Sequence, residues 1–241
     1  MSTWEVADAH LERRLRRWGI PAAVAVAWLL VKTGPGHFLL RTFLSMWVHE
    51  IGHAATAWLC GFPAFPGPWL TPTAAERSWA FALLVFGALG YATLRVSRWF
   101  GALVVLQVLC TLQPPDRARQ LICFMGDGGA LVLGTALMLT LYAPEGSKLR
   151  RDWLRWGLLA IGAASFTDVF EQWWSARSDP DRIPFGMNEG VGPSDPSVLS
   201  DRFGWSADRL VQAYVALGVA CLLVLAAAYL RGLRQPVGDR G

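Results

Sequence analysis

The chain has 241 residues, 54% of them hydrophobic, with 13 tryptophans and a mean hydropathy of +0.34. That composition excludes an ordinary water-soluble domain and a disordered chain, and it implies a single polytopic membrane domain. The formal charge of +4 comes largely from arginines flanking apolar segments, a positive-inside signal and not a nucleic-acid surface; no nucleic-acid-binding motif is present.

Residues 1–17 form a basic arm with Arg13, Arg14, Arg16 and Arg17 before the first apolar run. It reads as the cytoplasmic side of a retained signal-anchor helix, with no cleavage site of small residues. Apolar segments follow at roughly 18–33, 37–60, 79–96, 99–113, 121–143, 154–174 and 208–231. The expected fold is all-α: a transmembrane helical bundle over 18–231 with six or seven membrane segments, a core at 37–143 and a short tail at 232–241. Charge balance favours six crossings. Depth favours seven, because His53 and Asp127 would then lie about 9–10 Å from the same face. Trp18, Trp99, Trp153, Trp156, Trp173, Trp174 and Trp205 fall near segment ends, where interfacial anchors belong. The expected location is a bacterial-type inner membrane.

Two linkers interrupt the apolar pattern. Residues 61–78 hold four prolines and two glycines beside Phe62, Phe65 and Trp69, so they cannot form a helix. Their apolar content predicts a membrane-dipping loop or hairpin, suspected of binding substrate. Residues 175–207 are polar and rich in turn residues, and should lie outside the bilayer. Glu189 and Asp195 within them read as turn residues. Cys60, Cys110, Cys123 and Cys221 stand singly, with no C-x-x-C spacing, and read as packing residues.

The most informative residues are His49-Glu50-Ile51-Gly52-His53, an H-E-x-x-H inside the second apolar run. On a helix, positions i and i+4 share a face, so both imidazoles reach one metal ion, and the glutamate can act as a general base on water. Ionisable groups at membrane depth are costly and point to function. A catalytic zinc takes three protein ligands and keeps one position open. Asp127, in Gly126-Asp127-Gly128-Gly129, is the leading candidate for the third; Glu171 and Glu189 are rivals. Asp168 and Glu171, at i and i+3, could supply a ligand, a carboxylate behind a histidine, or a proton path. Arg41 either snorkels to the interface or pairs with an intramembrane acid.

An H-E-x-x-H on a transmembrane helix followed by a transmembrane D-G-G resembles the site-2 protease family of intramembrane metalloproteases. The resemblance covers roughly 37–143, and His49 to Ala54 is its specific part. It implies one Zn²⁺ per chain held by His49, His53 and Asp127, with Glu50 as the catalytic glutamate. It also implies a transmembrane protein as substrate, cleaved in or near its membrane segment. The chain departs from the family pattern at Gly126, where Leu is usual, and has no Asn nearby. Two other classes remain open: a membrane metalloenzyme of different chemistry, and a non-catalytic scaffold or transport component.

Overall fold

The computed structural model describes residues 3–143, 147–150, 153–188 and 192–234. It is helical apart from a two-residue antiparallel pair, β1 (Met187–Asn188) with β2 (Gly192–Pro193), and one isolated bridge between Ala64 and Thr73. Each of the seven apolar segments is helical. The helices are α1 (Thr3–Val31), α2 (Gly34–Leu40), α3 (Met46–Leu59), α4 (Trp79–Arg95), α5 (Phe100–Thr111), α6 (Pro115–Phe124), α7 (Asp127–Leu139), α8 (Leu154–Ala176), α9 (Asp195–Asp201) and α10 (Ala207–Arg234). A π-helical turn, Arg41–Ser45, joins α2 to α3.

Local chemistry explains the boundaries. Thr33 caps α2 by accepting from the Gly36 N–H, with Pro35 in the first turn. Ser78 caps α4 and Ser194 caps α9 in the same way. Pro115 opens α6, where its missing N–H has no intrahelical partner to lose.

Among the described residues, α10 alone is long and apolar enough to cross a bilayer by itself. Two bent pairs meet the same standard when each counts as one broken span. These are His10–Val31 with Gly34–Leu59, bent by 120°, and Pro115–Phe124 with Asp127–Tyr142, bent by 59°. By length and composition there is thus one crossing, or three with the bent pairs, where the sequence reading expects six or seven. Helices α4 and α5 are apolar but short. Helix α8 carries Asp168 and Glu171, and it buries Gly162 through Val169 inside the protein.

The chain folds into two compact units interleaved in sequence, within the expected 18–231 body and its flanks. One unit comprises Met1–Ser45, Ala130–Arg182 and Val211–Gly241. Its interior is built on α8, with Trp173 stacked on Tyr214 at 4.2 Å between ring centroids, both fully buried. The other comprises Met46–Gly129 and Ile183–Leu210. It packs α3, α5 and α6 around Ala57, Cys60, Phe62, Cys110, Ala118 and Ile122. Here α3 meets the start of α7 backbone to backbone: a Cβ added at Gly129 would lie 2.4 Å from the Gly52 Cα. Only glycine at both positions permits this approach, and the approach puts α3 against the 125–129 turn.

Candidate metal centre

All the site residues belong to the second unit. His49 and His53 lie one turn apart on α3, both 8% exposed, and their Nε2 atoms stand 3.1 Å from each other. The third atom facing them is Asp195 Oδ2, at 3.1 Å from His49 Nε2 and 3.0 Å from His53 Nε2. It is the first residue of α9, presented just beyond the Ser194 cap. His49, His53 and Asp195 thus form a group whose ligand atoms all lie within 4.8 Å of one another and could hold a metal ion.

The far side of each ring decides what those nitrogens are. His53 Nδ1 lies 2.7 Å from the Ile122 carbonyl oxygen, which can only accept, so the ring proton sits on Nδ1 and donates. His49 Nδ1 donates likewise to Asp127 Oδ1 at 3.0 Å. In neutral imidazoles with Nδ1 protonated, each Nε2 presents a lone pair, and Asp195 Oδ2 adds a third acceptor. Three such acceptors about 3 Å apart repel one another unless a proton or a metal ion lies among them. Ligand atoms bound to one tetrahedral zinc at about 2.0–2.1 Å stand roughly 3.3 Å apart, so the spacing fits a small metal ion.

Gly126 leaves the room for an ion. A Cβ built there would sit 2.5 Å from His53 Nε2, 2.6 Å from Asp195 Oδ2 and 2.6 Å from His49 Cε1. The position lies against the donor cluster, and any side chain would fill it. Glycine at 126 therefore keeps the cluster open on this side.

The sequence reading is met unevenly. His49 and His53 come together as expected. Glu50 lies between them in sequence, is 4% exposed, and accepts a hydrogen bond from Thr71 Oγ1 to its Oε2 at 2.7 Å. Asp127, expected as the third ligand, takes the back of His49 instead, as carboxylates commonly do behind metal-bound histidines. Asp195, expected to be a turn residue, faces the two Nε2 atoms. The cysteine expected only to pack, Cys123, lies with its Sγ 3.5 Å from Asp195 Oδ1. Asp168 and Glu171 do not join this group. Asp168 binds His37 Nε2 at 3.0 Å and Arg41 Nη1 at 3.1 Å, and Glu171 pairs with Lys32 and Ser175. Arg41 thus pairs with an acid, the second of its two expected roles. Glu189 lies outside the described residues. Loop 61–78 is a narrow hairpin with Thr71 reaching Glu50.

Comparison with protein-family profiles, curated proteins and solved structures gives no match.

Proposed function

We propose that the protein is a multi-pass membrane zinc metallopeptidase that hydrolyses peptide bonds in or near the membrane segments of other proteins. On this reading its apolar helical segments would make six or seven crossings and embed the site. The observation that carries this reading is the convergence of three ligand atoms, His49 Nε2, His53 Nε2 and Asp195 Oδ2, with the buried Glu50 next to His49 on the same helix. Two nitrogens and one carboxylate oxygen match the donor set of catalytic zinc, which keeps a position open. The residue pattern's similarity to site-2 proteases supports a peptide substrate.

Zinc, when bound, supplies Lewis-acid chemistry: it acidifies water and polarises a carbonyl. The chain's own residues do the rest. His49, His53 and Asp195 would hold the ion. Asp127 and the Ile122 carbonyl fix the two imidazole tautomers, so that Nε2 is the free nitrogen in each ring. Glu50 accepts a proton from the attacking water and delivers it to the leaving amine. The substrate must arrive extended, because a helical peptide bond is occupied with its own hydrogen bonds. The 61–78 hairpin offers backbone edges for such a strand.

Metal content of the detergent-purified protein tests the centre first. The expected result is about one zinc per chain, lost in His49→Ala and Asp195→Ala. Asp127→Ala should keep zinc with about 10- to 100-fold weaker affinity. Zinc kept by Asp195→Ala and lost by Asp127→Ala would move the third ligand to Asp127, and a wild type that takes no zinc would overturn the metal centre. Activity is then read in liposomes carrying a mixture of single-span peptides, followed by mass spectrometry. Cleavage by wild type, absent in a Glu50→Gln variant that still holds zinc, is the expected outcome. Zinc without cleavage of any peptide would remove the peptidase reading and leave a metal-binding membrane protein.

A further inference from the structure

The 61–78 hairpin reaches Glu50 through Thr71. Its base is fixed. Gly61, at φ +81°, ends α3, with the Phe62 N–H bonded to the Ala57 carbonyl at 2.8 Å. The Phe62 ring is buried in the core. Arg77 clamps the returning strand, its Nε donating to the Cys60 carbonyl and its Nη2 to the Gln113 carbonyl, each at 2.8 Å. Above this base the two arms pair. The Ala74 N–H donates to Pro63 O at 2.8 Å, Phe65 N–H to Pro72 O at 3.1 Å, and Gly67 N–H to Leu70 O at 3.0 Å. Trp58 Nε1 holds the first arm by donating to Ala64 O at 2.9 Å.

From the second arm, Thr71 Oγ1 lies 2.7 Å from Glu50 Oε2 and 3.0 Å from the Glu50 carbonyl oxygen. A hydroxyl carries one hydrogen, so it serves one of these acceptors at a time. The carboxylate is nearer and charged, and takes it. Glu50 Oε1 accepts no hydrogen bond among the described residues. The arrangement therefore fixes one carboxylate oxygen and leaves the other to take a proton. A glutamate has three rotatable side-chain bonds, and a general base must lie within hydrogen-bond reach of its proton. One tethered oxygen removes most of that freedom.

We propose that Thr71 is a positioning residue that holds Glu50 in its working orientation and ties that orientation to the hairpin. The inference rests on the peptidase reading above. The hairpin carries Phe65, Trp69 and Leu70 exposed near its tip, with Phe65 74% exposed, so an extended apolar chain laid along the hairpin would meet the same arm that holds Glu50. The proton acceptor and the strand-binding edge would then be set by one rigid piece, and substrate seating would align the base.

Thr71→Val removes the hydroxyl while keeping the branched shape, and Thr71→Ser restores the hydroxyl. On a peptide found to be cleaved, Thr71→Val should lower kcat by about 10- to 100-fold with KM nearly unchanged and zinc content intact, and Thr71→Ser should recover most of the rate. An unchanged kcat in Thr71→Val, or a loss that Ser does not recover, overturns the proposal. A second readout needs no substrate. Amide exchange at Phe65, Gly67 and Ala74 in the full-length protein should accelerate in Thr71→Val and return to the wild-type rate in Thr71→Ser. Wild-type protection in Thr71→Val would show that no tie exists. If no peptide is cleaved while exchange behaves as expected, the peptidase reading fails and the Thr71–Glu50 tie stands.

Discussion

At the scale of single residues, the centre depends on what is missing from position 126 as much as on its donors. A Cβ at Gly126 would meet atoms of His49, His53 and Asp195 at 2.5–2.6 Å, closer than carbon approaches nitrogen or oxygen without a bond. Gly126→Ala should therefore displace the imidazoles or the carboxylate and abolish zinc binding. Glycine at 126 lies between α6 and α7, outside either helix, and its φ is outside the left-handed region, so alanine costs little in backbone conformation. The expected outcome is a variant with wild-type circular dichroism and no zinc. A Gly126→Ala protein that binds zinc at wild-type affinity would place the ion elsewhere. The same reasoning separates the two aspartates. Asp195 faces the free nitrogens, while Asp127 faces a ring N–H that has already given its proton direction.

At the scale of elements, the end of α3 governs both the core and the hairpin. Gly61 adopts φ +81°, donates to the Trp58 carbonyl at 3.0 Å, and lets Phe62 reach back to Ala57. A Cβ there would also meet Ala82 Cβ at 3.0 Å and Arg77 Cγ at 3.2 Å. Gly61→Ala should lower stability by about 1–2 kcal/mol from the left-handed backbone alone. It should also loosen the 61–78 arms ahead of global unfolding. Denaturant unfolding in detergent measures the first and amide exchange at Ala74 the second; an unchanged midpoint would mean that Gly61 is not conformationally required. The non-helical character of 61–78 is legible in its prolines, because each removes a donor and fixes φ. That Thr71 would face Glu50 is not legible, because a hydroxyl's partner is set by the register Ala64 to Thr73, which only the folded hairpin defines.

At the scale of the whole molecule, spacing within one helix was readable and pairing between distant segments was not. His49 and His53 share a face because of helical geometry alone. Asp195 reaches them only because the 183–210 segment folds into the same unit as α3, and a lone aspartate among serines and prolines carries no trace of that in sequence. The apolar runs marked helices, but the bends at 32–33 and 125–126 and the inward-facing middle of α8, which leave one or three spans by length and composition, do not show in hydropathy. From sequence Asp168 could supply a ligand or a carboxylate behind a histidine, yet its partners His37 and Arg41 lie in its own unit. Its side chain is fully buried, while that of Arg41 is 28% exposed. Removing one partner of a buried pair leaves an uncompensated charge, and the partial exposure of Arg41 and the second partner His37 soften the loss. Arg41→Met should therefore cost about 1–3 kcal/mol. It should leave zinc content at the wild-type level, since none of the three donors or their supports involves Arg41 or Asp168. Thermal unfolding and metal analysis of the same preparation read both quantities. Destabilisation with zinc retained assigns the Asp168 cluster to the packing of its own unit, whereas loss of zinc at unchanged stability would bring Asp168 into the metal chemistry.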